Sequence, residues 1–332
     1  MNDSLLLNIT DMSRVAEARR ESLQLASGIG MSQLAAGKLG IVITEVTTNL
    51  VKHAVNGRIL LRTIGSGTDA GVEVLALDCG PGIRDMDKCL RDGYSTAGSP
   101  GNGLGAIVRL STAFDIYSQP GKGTVLLAQV SGGRSKPVSK LSLGAICVSR
   151  DPGVPCGDAW VVWNGDGRSQ VLLADGLGHG PLAAQAAGQA LRTFLEGAGH
   201  SPSDAVKALH GPLRSTRGAS LAIAEIYFSS RLNYCGVGNI SGMLLEAGKT
   251  RSMISHNGTV GHELHKVAEF KYPWSATTTL LMHSDGLTNR WRLEDYPGLL
   301  ARHPSVMAAV LYRDFQRGKD DVTIIVAREN HT

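Results

Sequence analysis

The sequence predicts two α+β domains, on three observations. The chain has 332 residues, which fits two domains of ordinary size better than one. A polar stretch carrying Gly and Pro, Ser131-Gly132-Gly133-Arg134-Ser135-Lys136-Pro137-Val138-Ser139-Lys140, separates two apolar-patterned halves and reads as a linker. In the second half, strand-length apolar runs flank a pair of helical stretches, a layout that suggests an α+β sandwich. The expected boundaries are 1–130, a linker at 131–140, and 141–332.

Composition narrows the function classes. Hydrophobic residues make up 42% and charged residues 19%, so a well-buried globular chain is expected. No run of about 18 apolar residues is read along the chain, and Met1-Asn2-Asp3-Ser4-Leu5 has no basic leader, so neither a membrane partner nor a secretory signal is expected. Five scattered cysteines without C-x-x-C spacing (Cys79, Cys89, Cys147, Cys156, Cys235) argue against a disulfide framework or a structural zinc site. They read as small buried hydrophobes in a reducing, cytoplasmic setting. Residues 1–130 hold 12 Lys+Arg against 12 Asp+Glu, and most of the net +4 lies in the linker, at Arg134, Lys136 and Lys140. Neither half has the charge of a nucleic-acid binder.

Leu5-Leu6-Leu7-Asn8-Ile9 reads as a first strand. Thr10 or Asp11 can cap a helix to about Ala26, which Gly28 and Gly30 end. A second helix is expected from Ser32 to Val55. Its run Ile41-Val42-Ile43-Thr44 suits a strand by propensity, so the assignment rests on the residues that follow. On a helix, Glu45, Asn49 and His53 fall at i, i+4 and i+8 on one face, with Lys52 beside them. That set could handle a magnesium-bound triphosphate; taken alone, it is equally an ordinary solvated face.

Runs at 58–62 and 72–77 read as adjacent strands joined by a turn from Gly65 to Gly71. The second strand ends in Asp78-Cys79-Gly80-Pro81-Gly82, where an aspartate can accept a hydrogen bond from an adenine amino group. Gly101-Asn102-Gly103-Leu104-Gly105 opens a further helix whose amides can face phosphate. No βαβ unit with a downstream acid follows, which disfavours a dinucleotide fold. Strands at 114–117 and 124–128 close this half.

These boxes, Glu45/Asn49/Lys52-His53, Asp78-x-Gly80-x-Gly82 and Gly101-x-Gly103-x-Gly105, resemble in order those of the GHKL ATPase/kinase superfamily. Gly93-Tyr94-Ser95-Thr96 and Gly121-Lys122-Gly123-Thr124 bring the likeness closest to RsbT-type serine kinases of bacterial stress signalling. The resemblance implies a Bergerat α/β sandwich over about residues 4–130, with ATP held under a lid near 83–102. Asn49 would hold Mg²⁺, Asp78 the adenine, and the glycine loop the phosphates, with His53 a contact near them. Glu45 would be the base that deprotonates a target serine.

The second half turns on Ala174-Asp175-Gly176-Leu177-Gly178-His179-Gly180, where an apolar strand delivers an aspartate into a glycine-rich turn before a helix. Such a carboxylate suits a hard metal ion, and equally a plain strand-to-helix turn. Strands are expected near 143–148, 157–163, 170–174, 219–227, 232–236, 240–245, 280–284 and 322–326. Helices are expected near 179–197, 202–214 and 296–315. Asp158, Asp175, Asp285 and Asp320 stand at or beside strand ends, and converging carboxylates need cations between them. Singly, each is equally a turn residue.

Gly157-Asp158, Asp175-Gly176-x-Gly178-His179-Gly180, Gly238-Asn239, Ser284-Asp285-Gly286 and Asp320-Asp321-Val322-Thr323 resemble, in order, the PPM-type metal-dependent serine/threonine phosphatases. The D-G-L-G-H-G form is similar to their SpoIIE/RsbX branch. This resemblance implies an α-β-β-α sandwich over about 141–328. It implies Asp175 bridging two Mn²⁺ or Mg²⁺ ions, with the Gly176 carbonyl, Asp158, Asp285 and Asp320 completing the site; Asp320 is preferred over Asp321 by its place before the Asp-Thr segment. Together the resemblances imply a bifunctional switch acting on a STAS-domain antagonist or stressosome-type protein, with a sigma factor a further partner. A competing expectation makes the first domain a nucleotide-dependent docking or sigma-factor-sequestering module that transfers no phosphate.

Overall fold

The computed structural model describes residues 3–86, 103–133, 140–247 and 249–330. Residues 134–139 of the expected linker, Gly93-Tyr94-Ser95-Thr96, Gly101 and residues 87–102 of the expected lid lie outside the described residues, as does Cys89. The chain packs into two compact units. The first is Ser4–Val138 with Tyr296–Arg313; the second is Met1–Asp3, Ser139–Asp295 and Asp314–Thr332.

The first unit carries a five-stranded antiparallel sheet in the order β1-β2-β3-β5-β4, from β1 (Leu5–Asn8), β2 (Arg58–Ile64), β3 (Gly71–Leu77), β4 (Ala113–Gln119) and β5 (Gly123–Ser131). Helices α1 (Met12–Gly28), α2 (Gln33–His53) and α3 (Gly103–Leu110) accompany it. Asp11 caps α1 by accepting from the Ser13 amide at 2.8 Å, and Ser32 caps α2 through the Ala35 amide at 3.3 Å. The β-branched run of α2 is helical because burial overrides propensity. Leu39, Val42, Ile43 and Val46 join Ile59, Leu61, Val72 and Val74 in one core, and Thr47 returns its hydroxyl to the Ile43 carbonyl at 2.6 Å. By length and composition α2 could also cross a membrane; 44% of its apolar window is buried in the protein. It is a core helix of this unit.

On β3, Val72, Val74 and Ala76 belong to that core, while the alternate residues Glu73, Leu75 and Leu77 are also buried. The segment from Tyr296 on covers this other side. Glu73 pairs with Arg62 at 2.7 Å and accepts from Gln129 and from Ser305, each at 2.7 Å. Burial pushes the Glu73 carboxyl up, but the Arg62 charge and these donors hold it below its usual range.

Ser305 lies on α6 (Pro304–Phe315), whose residues from Pro304 to Arg313 are all buried. The sequence expectation put one helical stretch at 296–315 inside the second domain. Instead, two short 3-10 turns at Leu293–Asp295 and Leu299–Ala301 precede a helix that starts at Pro304. Residues 296–313 pack into the first unit. The proline sets the helix start, since the residue before it is held out of the helical region.

The second unit stacks two sheets, ordered β13-β10-β9-β8-β7 and β12-β11-β15-β16-β6, with β14 added on β10. β6 (Leu141–Val148), β7 (Asp158–Gly165), β8 (Arg168–Gly176), β9 (Ala219–Tyr227), β10 (Arg231–Val237), β11 (Ser241–Glu246), β15 (Thr279–His283) and β16 (Val322–Glu329) lie close to the runs read from sequence. Trp160, Leu173, Ala222, Leu244, Met282 and Ile325 interdigitate between the sheets. Helices α4 (Pro181–Glu196) and α5 (Pro202–Leu213) cover the far side of the first sheet through Ala187, Ala190, Phe194, Leu209 and Leu213. Three short strands were not expected: β12 (Lys249–Ser252), β13 (Ser255–His256) and β14 (Phe270–Pro273). Cys147, Cys156 and Cys235 are buried as expected, but Cys79 is exposed at the end of β3.

Candidate functional sites

In the first unit the nucleotide-site candidates come from four places in the chain. Helix α2 supplies Glu45 and Asn49, both half-buried, and ends in the exposed Lys52 and His53. The N-terminus of α3 lies against the first two. A β-carbon added at Gly103 would stand 2.8 Å from Glu45 Oε2 and 4.0 Å from Asn49 Nδ2, so the start of α3 lies against both side chains. Gly105, two residues on in the same turn of that helix, is buried. Asp78 follows β3, its amide donating to the Thr124 carbonyl at 2.9 Å and its Oδ1 accepting from the Gly80 amide at 2.7 Å. Gly80 in turn approaches the His53 carbonyl at the end of α2. Gly82 turns the chain with φ +74°. Burial raises the Asp78 carboxyl, partly offset by the Gly80 amide and by Arg313. Arg313 is the residue sequence reading missed here: its Nη1 donates to the Asp78 carbonyl at 3.2 Å. No local motif announces it, since it arrives from 235 residues further along.

In the second unit, antiparallel pairing of β7 with β8 sets Asp158 directly opposite Asp175. After Asp175 the chain turns into α4 through Gly178 and Gly180, both left-handed (φ +88° and +74°). Gly176 packs so closely that any β-carbon would collide with the Ala183 carbonyl. Asp158 is fully buried and accepts from Ser284 Oγ at 2.6 Å. Asp285 accepts from Asn239 Nδ2 at 2.9 Å. Asp321 places both oxygens on main-chain amides, Oδ1 on Arg150 and Oδ2 on Gly157, each at 2.7 Å. It clamps the strand ends, while Asp320 contributes its charge to the acidic cluster. Arg150 was not singled out by sequence reading; its Nη2 reaches His179 Nδ1 at 3.2 Å and its carboxylate partner is Asp151. Main-chain capture by Asp321 and the Ser284 bond leave no spacing signal.

The acids act on one another. Burial first, then the charges of Asp158, Asp285, Asp320 and Asp321, push Asp175 up to about 9. Burial, with the charges of Asp321 and Asp320 against the Ser284 hydroxyl, pushes Asp158 up to about 7. Burial and Asp285 also raise Asp320. Among the described residues, no three Asp, Glu, His or Cys side chains stand close enough to enclose one ion. Mg²⁺ keeps several waters and needs only one or two carboxylates, so this spread set of hard, mutually repelling oxygens still fits such a cation.

A pH dependence follows. A carboxyl raised above its unfolded value of about 3.9 keeps a proton in the fold that the unfolded chain has lost. Its contribution to stability is full below about pH 4 and falls as pH rises through 7 and 9 for Asp158 and Asp175. The metal-free chain is therefore expected to unfold at a lower temperature at pH 8 than at pH 5, by roughly 5 °C. Mn²⁺ should recover most of that loss by taking the place of the protons. Calorimetry across this range checks it; a midpoint that rises with pH and ignores Mn²⁺ would contradict the assignment.

The family model for Stage II sporulation protein E (SpoIIE) matches residues 165–330, and that for the histidine kinase-like ATPase domain matches residues 10–129. The chain is 30% identical over 128 residues to the serine/threonine-protein kinase RsbT of Bacillus subtilis (strain 168), covering 39% of this chain and 96% of that protein. It is 26% identical over 135 residues to the phosphoserine phosphatase RsbX of the same organism, covering 40% of this chain and 67% of that protein. Among solved structures, one described under the bacterial stressosome, "a modular system that has been adapted to control secondary messenger signaling", is 28% identical. It covers 57% of this chain and 100% of its own, with a TM-score of 0.53.

Proposed function

We propose a function from one premise: the chain belongs to the SpoIIE family through residues 165–330 and carries an RsbT-like ATPase domain of the histidine kinase-like family ahead of it. It is a bifunctional switch in bacterial sigma-factor and stress signalling. The first site phosphorylates a serine or threonine on a STAS-domain antagonist or stressosome-type protein, using ATP and Mg²⁺. The second removes phosphate from phosphoserine or phosphothreonine on such a protein, using two Mn²⁺ or Mg²⁺ ions. The observation that carries this reading is that one chain sets Glu45 against Gly103 at a helix N-terminus and gathers four mutually repelling aspartates at strand ends.

In the first site Asp78 accepts from the adenine amino group, and the α3 amides near Gly103 meet phosphate oxygens. Gly80, Gly82 and Gly105 keep the backbone close to the nucleotide. Asn49 holds Mg²⁺, and Lys52 and His53 face the phosphates. Glu45 takes the proton from the acceptor hydroxyl. In the second site Asp175, Asp158, Asp285, Asp320 and the Gly176 carbonyl would hold the two ions. Bound there, such ions polarise the phosphate and lower the pKa of a water at neutral pH. Asn239 orients Asp285, and Ser284 orients Asp158.

The test is to incubate the full chain with ATP, Mg²⁺ or Mn²⁺ and STAS-domain proteins, and to follow phosphate by mass spectrometry. Phosphoserine should form on the target with ATP and disappear after ATP is removed, and chelator should block its loss. A target that binds tightly in the presence of ATP but never gains phosphate would replace the kinase with the docking or sigma-factor-sequestering module. Full hydrolysis after exhaustive metal removal would overturn the metal assignment.

A further inference from the structure

The first unit is built from the N-terminal half of the chain and from one excursion of the C-terminal half, residues 296–313. That excursion lies between Asp285 and Asp320 in sequence. It is fastened to the N-terminal sheet along its length. The His303 amide donates to Asp115 Oδ2 at 2.6 Å, Arg302 pairs with the same carboxylate at 3.3 Å, and Ser305 donates to the buried Glu73 at 2.7 Å. The Arg58 guanidinium lies over the Tyr312 ring, 5.6 Å from its centroid, and Lys122 over Tyr296 at 4.2 Å.

The last anchor is Arg313, itself only 6% exposed, whose Nη1 donates to the Asp78 carbonyl at 3.2 Å. The Asp78 amide is already bonded to Thr124. The peptide groups on both sides of the Asp78 side chain are therefore held, one by the sheet and one by α6. Two residues past Arg313 the chain grips the other site's loop. The Thr288 amide donates to the Phe315 carbonyl at 3.1 Å, and the Arg317 amide to the Gly286 carbonyl at 2.8 Å. Gly286 directly follows Asp285.

We propose that Arg313 is a positioning residue of the nucleotide site, holding the Asp78 main chain in place, and that through α6 nucleotide occupancy is felt at the loop carrying Asp285. This rests on the reading that Asp78 receives the adenine. It means that the ATP site depends on a residue from the phosphatase half. It also means that metal affinity and nucleotide affinity are linked, since a coupling between two sites is reciprocal.

The test uses the full chain and a non-hydrolysable ATP analogue. Calorimetry compares wild type, Asp78→Asn, Arg313→Met and Arg313→Lys. Arg313→Met should bind the analogue about tenfold more weakly, the size expected for losing a hydrogen bond from a charged donor. Arg313→Lys, which keeps a cationic donor, should recover part of that loss, which a merely structural disturbance would not do.

The second readout is the Mn²⁺ concentration giving half-maximal hydrolysis of p-nitrophenyl phosphate. Saturating analogue should shift it by about fivefold or more in wild type, and by less in Arg313→Met. If Arg313→Met does not fold, Arg313→Lys carries the test: weaker nucleotide binding at an unchanged unfolding midpoint supports the proposal. Wild-type affinity in both Arg313 variants, with Asp78→Asn impaired, overturns it and leaves the nucleotide site standing. No analogue binding by wild type removes the nucleotide reading and this inference together. Normal binding in Arg313→Met with no Mn²⁺ shift in wild type overturns both parts of the inference.

Discussion

Asp175→Asn is expected to lower metal-dependent hydrolysis of a phosphate ester by on the order of 10³-fold, the scale of removing a central electrostatic group from a site. It should also make the metal-free chain more resistant to heat. The two effects share one cause. Asp175 sits opposite Asp158 across the β7–β8 pair, half-buried and within the field of Asp158, Asp285, Asp320 and Asp321. The amide keeps the shape and the strand register but removes the charge. Without a cation that charge is a liability, so its loss relieves repulsion; with a cation it would be a ligand, so its loss would weaken the hold on the ion. At pH 8 the variant should unfold several degrees above metal-free wild type, and Mn²⁺ should stabilise it far less. Analogue binding in the first unit should be retained. A variant that hydrolyses the ester at the wild-type rate, or is less heat-resistant than metal-free wild type, would show that Asp175 is not the shared ligand.

The elements were legible where side-chain pattern and burial coincide. Strands such as Val171-Leu172-Leu173-Ala174 lie between packed layers, so they read as continuous apolar runs. Helix α2 was legible only through Glu45, Asn49 and His53, because Ile41, Val42 and Ile43 point by propensity to a strand. β12 escaped because Lys-Thr-Arg-Ser is wholly exposed and carries no alternation. The allegiance of residues 296–313 escaped for the opposite reason. α6 is buried on every side from Pro304 to Arg313, so it has no polar face to show which surface it packs on. The sites divide in the same way. Asp78, Asp175 and Asp285 stand in glycine-marked turns that sequence displays. Arg313 and Asp321 act on main-chain carbonyls and amides, which any residue supplies, so their partners leave no mark.

Glu45→Ala is expected to lower transfer of phosphate to the target serine by about 10² to 10⁴-fold, the range for loss of a positioned base. Nucleotide binding should change little, because Asp78 and the α3 amides hold the nucleotide while Glu45 acts on the acceptor hydroxyl. Hydrolysis of a generic ester in the second unit should be unaffected, since Glu45 belongs to the first unit. The expectation rests on where Glu45 lies: half-buried on α2, one turn before Asn49, with its Oε2 beside the glycine that opens α3. A half-buried carboxylate there would stand beside phosphate bound at the start of α3 and would remain open to an incoming hydroxyl. The Asp175→Asn background makes the result readable, because phosphate once transferred then stays on the target. Asp175→Asn alone should accumulate more phosphoserine than wild type, and the Glu45→Ala/Asp175→Asn pair should accumulate almost none. If the pair accumulates as much as Asp175→Asn alone, Glu45 is not the base. If neither accumulates any while ATP still promotes target binding, the first unit holds its partner without phosphorylating it.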